Sequence, residues 1–154
     1  MAERKLKFWG WGYDDERVTA EERKALSAFY AGRFGVDGFD ETSEPRLEDF
    51  ELPKPRLTPP AALAGICSSD PHDRLVHALG KSFPDTVRMF ARDVPQPPDV
   101  VAFPESEEDV VRLLDWADGA GAAVIPFGGG SSVVGGVEAA VGNDFKGTLT
   151  LSLV

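Results

Sequence analysis

A chain of 154 residues is long enough for one domain with a real core. Its apolar content of 42% and charged content of 27% are those of a soluble globular protein, and no apolar run approaches the ~20 residues that span a bilayer. The formal charge of −10 opposes polyanion binding, which excludes nucleic acid as a partner, but it does not oppose one buried diphosphate held by backbone N–H groups.

The chain opens with Glu3, Arg4, Lys5 and Lys7 and shows no apolar signal core, so a cytoplasmic location is expected. Phe8-Trp9-Gly10-Trp11-Gly12-Tyr13 sets aromatics between glycines, the pattern of an N-terminal arm docked by aromatic burial. Thr19 and Glu22 form a capping box. Ala25, Leu26, Phe29 and Tyr30 recur at helical spacing behind it, and Gly32 or Gly35 is the stop. Acidic residues crowd Asp37 to Glu51, as on a solvated stretch. Prolines 45, 53, 55, 59 and 60 make 45–60 an extended linker.

Cys67 is the single cysteine and cannot form an internal disulfide; it reads as a small apolar residue. Asp70-Pro71 is a helix start, with Leu75, Val76 and Leu79 on its apolar face and Gly80 as its end. His72 and His77 have no metal-ligand spacing and read as surface or packing residues, so no metal is expected.

The clearest unit follows. Val100 to Phe103 is a short apolar strand, and Ser106 caps a helix with Asp109 as a short partner in the box. Val110, Leu113, Leu114 and Ala117 form the predicted buried stripe, and Gly119 or Gly121 the left-handed stop. Ala122 to Phe127 is a second strand, parallel to the first as in a βαβ unit. After a turn region at 141–146, Thr148 to Leu153 alternates as a strand with leucines on one face. Reading that strand as an unpaired edge at a bare terminus predicts a truncated domain.

Between these strands lies Gly128-Gly129-Gly130-Ser131-Ser132-Val133-Val134-Gly135-Gly136. Glycine permits positive φ and close approach to backbone N–H groups, and so many in one loop suggest a phosphate cradle. The P-loop reading fails because Gly136 and Val137 follow where Lys and Ser/Thr are needed. The dinucleotide fingerprint fails at Val133.

What remains resembles the first flavin-binding segment of the vanillyl-alcohol-oxidase-type flavoproteins, whose FAD domain is called PCMH-type. Pro98 to Pro104 is similar to that domain's first strand and Ser106 to Ala117 to its first helix. Trp9 to Tyr13, with Gly80-Lys81-Ser82-Phe83-Pro84-Asp85 and Arg88, resembles the alkylglycerone-phosphate (alkyldihydroxyacetonephosphate) synthase group and its bacterial relatives.

The resemblance implies an α+β fold. The residues divide the chain into an N-terminal arm and helix (1–44), a proline-rich linker (45–60) and a helical segment (61–93), and the resemblance makes 94–154 the start of a PCMH-type FAD-binding domain. It implies that Pro126, Phe127, Gly128, Gly129, Gly130, Ser131 and Ser132 hold the diphosphate of FAD, with N–H groups from Gly128 to Ser132 pointing into one concavity and the two serine hydroxyls adding donors. FAD is expected to be non-covalent, since His72 and His77 are far upstream. The implied enzyme exchanges the acyl chain of acyl-dihydroxyacetone phosphate for a fatty alcohol. A bacterial-type alternative is an FAD-linked 2-hydroxy-acid dehydrogenase, and one of another class is a non-catalytic phosphate- or nucleotide-binding module. Catalytic residues are expected beyond Val154; Arg88 is open between flavin contact and a surface ion pair, a homodimer is left open, and this stretch alone is expected to be inactive.

Overall fold

A computed structural model describes residues 4–153. Helix α1 covers Ala20–Phe34 and is capped at both ends: Thr19 and Glu22 satisfy each other's backbone N–H, and Gly35 closes it in the left-handed conformation. Gly35, not Gly32, is the stop. Only Ala31 of this helix is buried, while Leu26, Phe29, Tyr30 and Phe34 are exposed. The 45–60 stretch is extended apart from a single 3-10 turn at Leu47–Asp49, and it enters the core through Leu57.

Four strands form one sheet in the order β1-β2-β4-β3: β1 Cys67–Ser68, β2 Val100–Ala102, β3 Ala122–Phe127 and β4 Gly147–Ser152. β1 pairs antiparallel to β2, while β2 and β3 each pair parallel to β4. The two strands of the βαβ unit are therefore parallel, as expected, but β4 lies between them. This corrects the edge-strand expectation. All six residues of β4 are buried, so the last strand is the centre of the sheet and offers no unpaired edge. The edges of the described sheet are β1 and β3, and Pro126, which has no N–H to donate, sits in β3.

Both faces of the sheet are covered. Helix α4, Glu107–Ala120, lies on one face, and Leu113 and Ala117 pack with Val100, Ala102, Leu149 and Leu151. Val110, Trp116 and Ala120 flank that core, whereas Leu114 is 45% exposed. The stripe runs through 110, 113, 117 and 120, and Leu114 falls just off its edge. The Ser106–Asp109 box is one-sided: Ser106 Oγ accepts the Asp109 N–H at 3.2 Å, but the short aspartate carboxylate takes the Glu105 N–H and the Ser106 hydroxyl instead of the Ser106 N–H. Gly121 is the left-handed stop.

On the other face helix α2, Pro71–Val76, lies against β2, and helix α3, Phe83–Phe90, packs with α2. α2 ends at Val76, earlier than Gly80: His77 closes it, and Leu79 reaches the core from the turn that follows. α3 begins on a reciprocal Ser82–Asp85 capping box with Pro84 in its first turn. Leu75, Val76, Leu79 and Met89 form a second core with Phe8, which anchors the N-terminal arm. Trp9 packs edge-on to Phe90 at 5.6 Å, but Trp11 stays 64% exposed. Aromatic burial thus holds the arm through Phe8 and Trp9, and backbone bonds from Lys7 N–H to Gly12 O and from Asp14 N–H to Lys5 O fold it back on itself.

A candidate dinucleotide site at the carboxyl ends of the parallel strands

The three parallel strands end on the same side of the sheet. Phe103 follows β2, Phe127-Gly128-Gly129 ends β3 and Ser152 ends β4, and all line one cavity of about 470 Å³. The arm, from Gly10 to Tyr13, closes it on one side, and Val76, His77 and Lys81 on another. Crevices beyond the carboxyl ends of parallel strands are where open α/β sheets bind ligands. A wider groove of about 900 Å³ between Asp15–Val18 and α1 is open and holds none of the glycine bend.

The bend divides its glycines by task. Gly130 has φ +66°, and a Cβ there would come within 2.5 Å of Phe127 Cζ. Gly135 also has positive φ. Gly128 and Gly129 do not, and a Cβ on either would meet nothing within 4 Å. Gly130 shapes the bend, while Gly128 and Gly129 leave its inner side open. Among the described residues, the N–H groups of Gly128, Gly129, Gly130, Ser131 and Ser132 find no protein acceptor. Ser131 is exposed, whereas Ser132 Oγ already accepts the Gly136 N–H at 3.0 Å and bridges the bend.

The 80–88 segment is the bend's clamp. Lys81 N–H donates to Ser132 O at 2.8 Å, and a Cβ on Gly80 would collide with that same carbonyl. Arg88 donates two 3.0 Å bonds to Glu138, just past the bend, and lies 3.8 Å from Asp93. Arg88 is thus an ion-pair residue holding the far side of the loop. Sequence reasoning missed this docking, although the Ser82-x-x-Asp85 spacing marks the helix that carries it.

The side chains lining the cavity are unusual for their burial. His77 Nδ1 lies 2.7 Å from Asp73 O, so that nitrogen carries the proton and Nε2 accepts the Ser152 hydroxyl at 3.1 Å. Its ring packs on Phe127 and Phe103, and burial pushes its pKa down, keeping it neutral. Lys81 Nζ donates to Gly10 O at 2.9 Å; burial lowers its pKa while the Asp85 charge opposes that shift. His72 packs edge-on to Phe8. Among the described residues no three His, Cys, Asp or Glu side chains come together as a metal-binding cluster. Cys67 is half-buried beside β2, and burial raises its thiol to about 11.

A row of five unused amides, an open inner face at two glycines and a mouth at the strand ends fit a diphosphate. Residues 98–153 match the family of the FAD binding domain. Alkyldihydroxyacetonephosphate synthase of Trypanosoma brucei brucei is 39% identical over 69 residues, 45% of this chain and 11% of that protein. The synthase of Dictyostelium discoideum is 32% identical over 106 residues, 64% of this chain and 17% of that protein. That of Caenorhabditis elegans is 31% identical over 71 residues, 46% of this chain and 12% of that protein. Two solved structures of alkyldihydroxyacetonephosphate synthase superpose with TM-scores of 0.72 and 0.73 at 24% identity, covering 95% of this chain and 30% and 32% of theirs. That likeness establishes the α+β fold, and the chain spans less than a third of the relatives it matches. The matched family binds FAD, and on these grounds residues 98–153 are a PCMH-type FAD-binding segment in a chain that resembles alkyldihydroxyacetonephosphate synthase.

Proposed function

We propose that the chain supplies the diphosphate grip of a flavoenzyme like alkyldihydroxyacetonephosphate synthase, with Pro126 to Ser132 as the gripping segment and 94–154 as part of the FAD-binding unit. The observation that carries this reading is the row of acceptor-free amides from Gly128 to Ser132 inside the matched family segment. Each charge-assisted bond from such an amide is worth about 1.5–3 kcal/mol, so three or four suffice to hold the cofactor without a covalent link. When bound, FAD supplies the redox-active ring. This chain's own residues bind and orient it: Gly130 sets the bend, Ser132 braces it, and Gly80 with Arg88 holds it in place.

The substrate class that follows is a lipid: acyl-dihydroxyacetone phosphate exchanging its acyl chain for a fatty alcohol. The test begins with the flavin spectrum of the full natural polypeptide. Wild type should purify yellow, and Gly130→Val colourless. Full flavin occupancy in Gly130→Val would count against the grip. Alkyl exchange without turnover of a 2-hydroxy acid would support the lipid assignment; the reverse would replace it.

A further inference from the structure

Lys81 is a half-buried cation that the diphosphate reading does not use. Its backbone is fixed to the glycine bend by the 2.8 Å bond to Ser132 O, at a spot only glycine at position 80 lets the chain reach. Its side chain turns into the cavity that Gly128 and Gly129 line. Among the described residues the ammonium has one acceptor there, the neutral carbonyl of Gly10. Asp85, whose charge acts on it, is already engaged by the Ser82 N–H and hydroxyl. The other lysine lining the cavity, Lys7, has its ammonium over the Trp9 ring at 5.2 Å. Taking an ammonium partly out of water against a single neutral acceptor carries a cost that an anion completing the site would offset.

We propose that Lys81 is a cofactor-binding residue: its ammonium is the cationic side of a two-sided anion clamp whose other side is the amide row of Gly128–Ser132, and its ligand is the diphosphate of the dinucleotide. The proposal rests on the diphosphate reading above. Amides alone give direction to the bonds, and the ammonium adds a charge that offsets the ligand's own in a chain of net charge −10. Because Lys81 also holds Gly10, the same ammonium sets how closely the arm covers the bound anion.

The test uses the full natural polypeptide freed of flavin and titrated separately with FAD and with ADP-ribose, which carries the diphosphate but no flavin ring. Lys81→Met should weaken both ligands by about 10- to 100-fold. Lys81→Arg should weaken them less. The salt dependence of Kd should be shallower in Lys81→Met than in wild type, since one screened charge contact is gone. Loss of a purely structural latch on Gly10 would leave the salt dependence unchanged, and that result overturns the proposal. So does wild-type affinity in Lys81→Met, or a loss for FAD alone, which would put the ammonium on the ring. Should Lys81→Met fail to fold, Lys81→Gln read against Lys81→Arg in the same two titrations decides. Failure of the underlying reading looks different: wild type then binds neither ligand, or Gly130→Val binds both undiminished.

Discussion

Gly130 and Gly129 are neighbours of one type with opposite tolerances. Gly130 combines φ +66° with a Phe127 ring where a side chain would go, so Gly130→Val should cost about 1–3 kcal/mol as well as the flavin. Gly128→Ala meets nothing within 4 Å and should leave the melting temperature unchanged. Equal losses of stability in both would contradict the division of tasks. The glycine run was visible in the sequence, but which glycine carries the strain was not, because that depends on where the Phe127 ring folds back. Asp99 gives a pH-dependent expectation. Burial alone would raise its carboxyl, but bonds from the Arg56 side chain, the Arg56 N–H and the Thr148 N–H outweigh it and hold the pKa below the usual range. A group with a depressed folded pKa stabilises above its unfolded value, so this contribution is complete above pH ~4 and lost as pH falls through the folded pKa. Asp99→Asn should cost about 2 kcal/mol near neutrality and flatten the acid limb of the stability curve, measured by denaturant melts across pH. Cys67 should label slowly at pH 8, since its thiol lies at about 11; labelling as fast as free cysteine would show that the site is not buried.

Elements with capping boxes were the most legible. Thr19–Glu22 starts α1 where spacing predicts it, and Ser106 starts α4. Ser82–Asp85 is just as regular, yet α3 is short and its turn holds Pro84, so periodicity alone does not reveal it. The same lack of length explains the early end of α2 at Val76: six residues cannot show whether Leu79 belongs to a helix or to the turn after it. Two substitutions separate the roles of glycine at this scale. Gly119 lies inside α4 with open space around it, and Gly119→Ala should raise stability by up to about 1 kcal/mol. Gly80→Ala drives a methyl into Ser132 O and should both lower the melting temperature and weaken flavin binding, because the clamp must move off the bend. If Gly80→Ala kept full flavin affinity, α3 would be scaffold rather than clamp.

The arrangement of the whole molecule was the least legible. The sequence contains β2, α4, β3 and β4 in order, but nothing local says that β4 inserts between β2 and β3. That choice is set by contacts across the fold: Leu149 and Leu151 complete the core under α4, while Ser152 meets His77 in the opposite layer. The insertion makes the strand ends converge, so residues distant in sequence, from Gly10 to Ser152, share one cavity. The Gly128–Ser132 segment was readable because its chemistry is local; the wall formed by the arm, His77 and Lys81 was not, because it exists only after folding. The most direct measurement is an experimental structure of the full natural polypeptide with FAD bound. The expected result places the diphosphate oxygens within hydrogen-bonding distance of the Gly128–Ser132 amides, with Lys81 on the other side. A dinucleotide held elsewhere, with those amides facing solvent or sealed by protein, would contradict it.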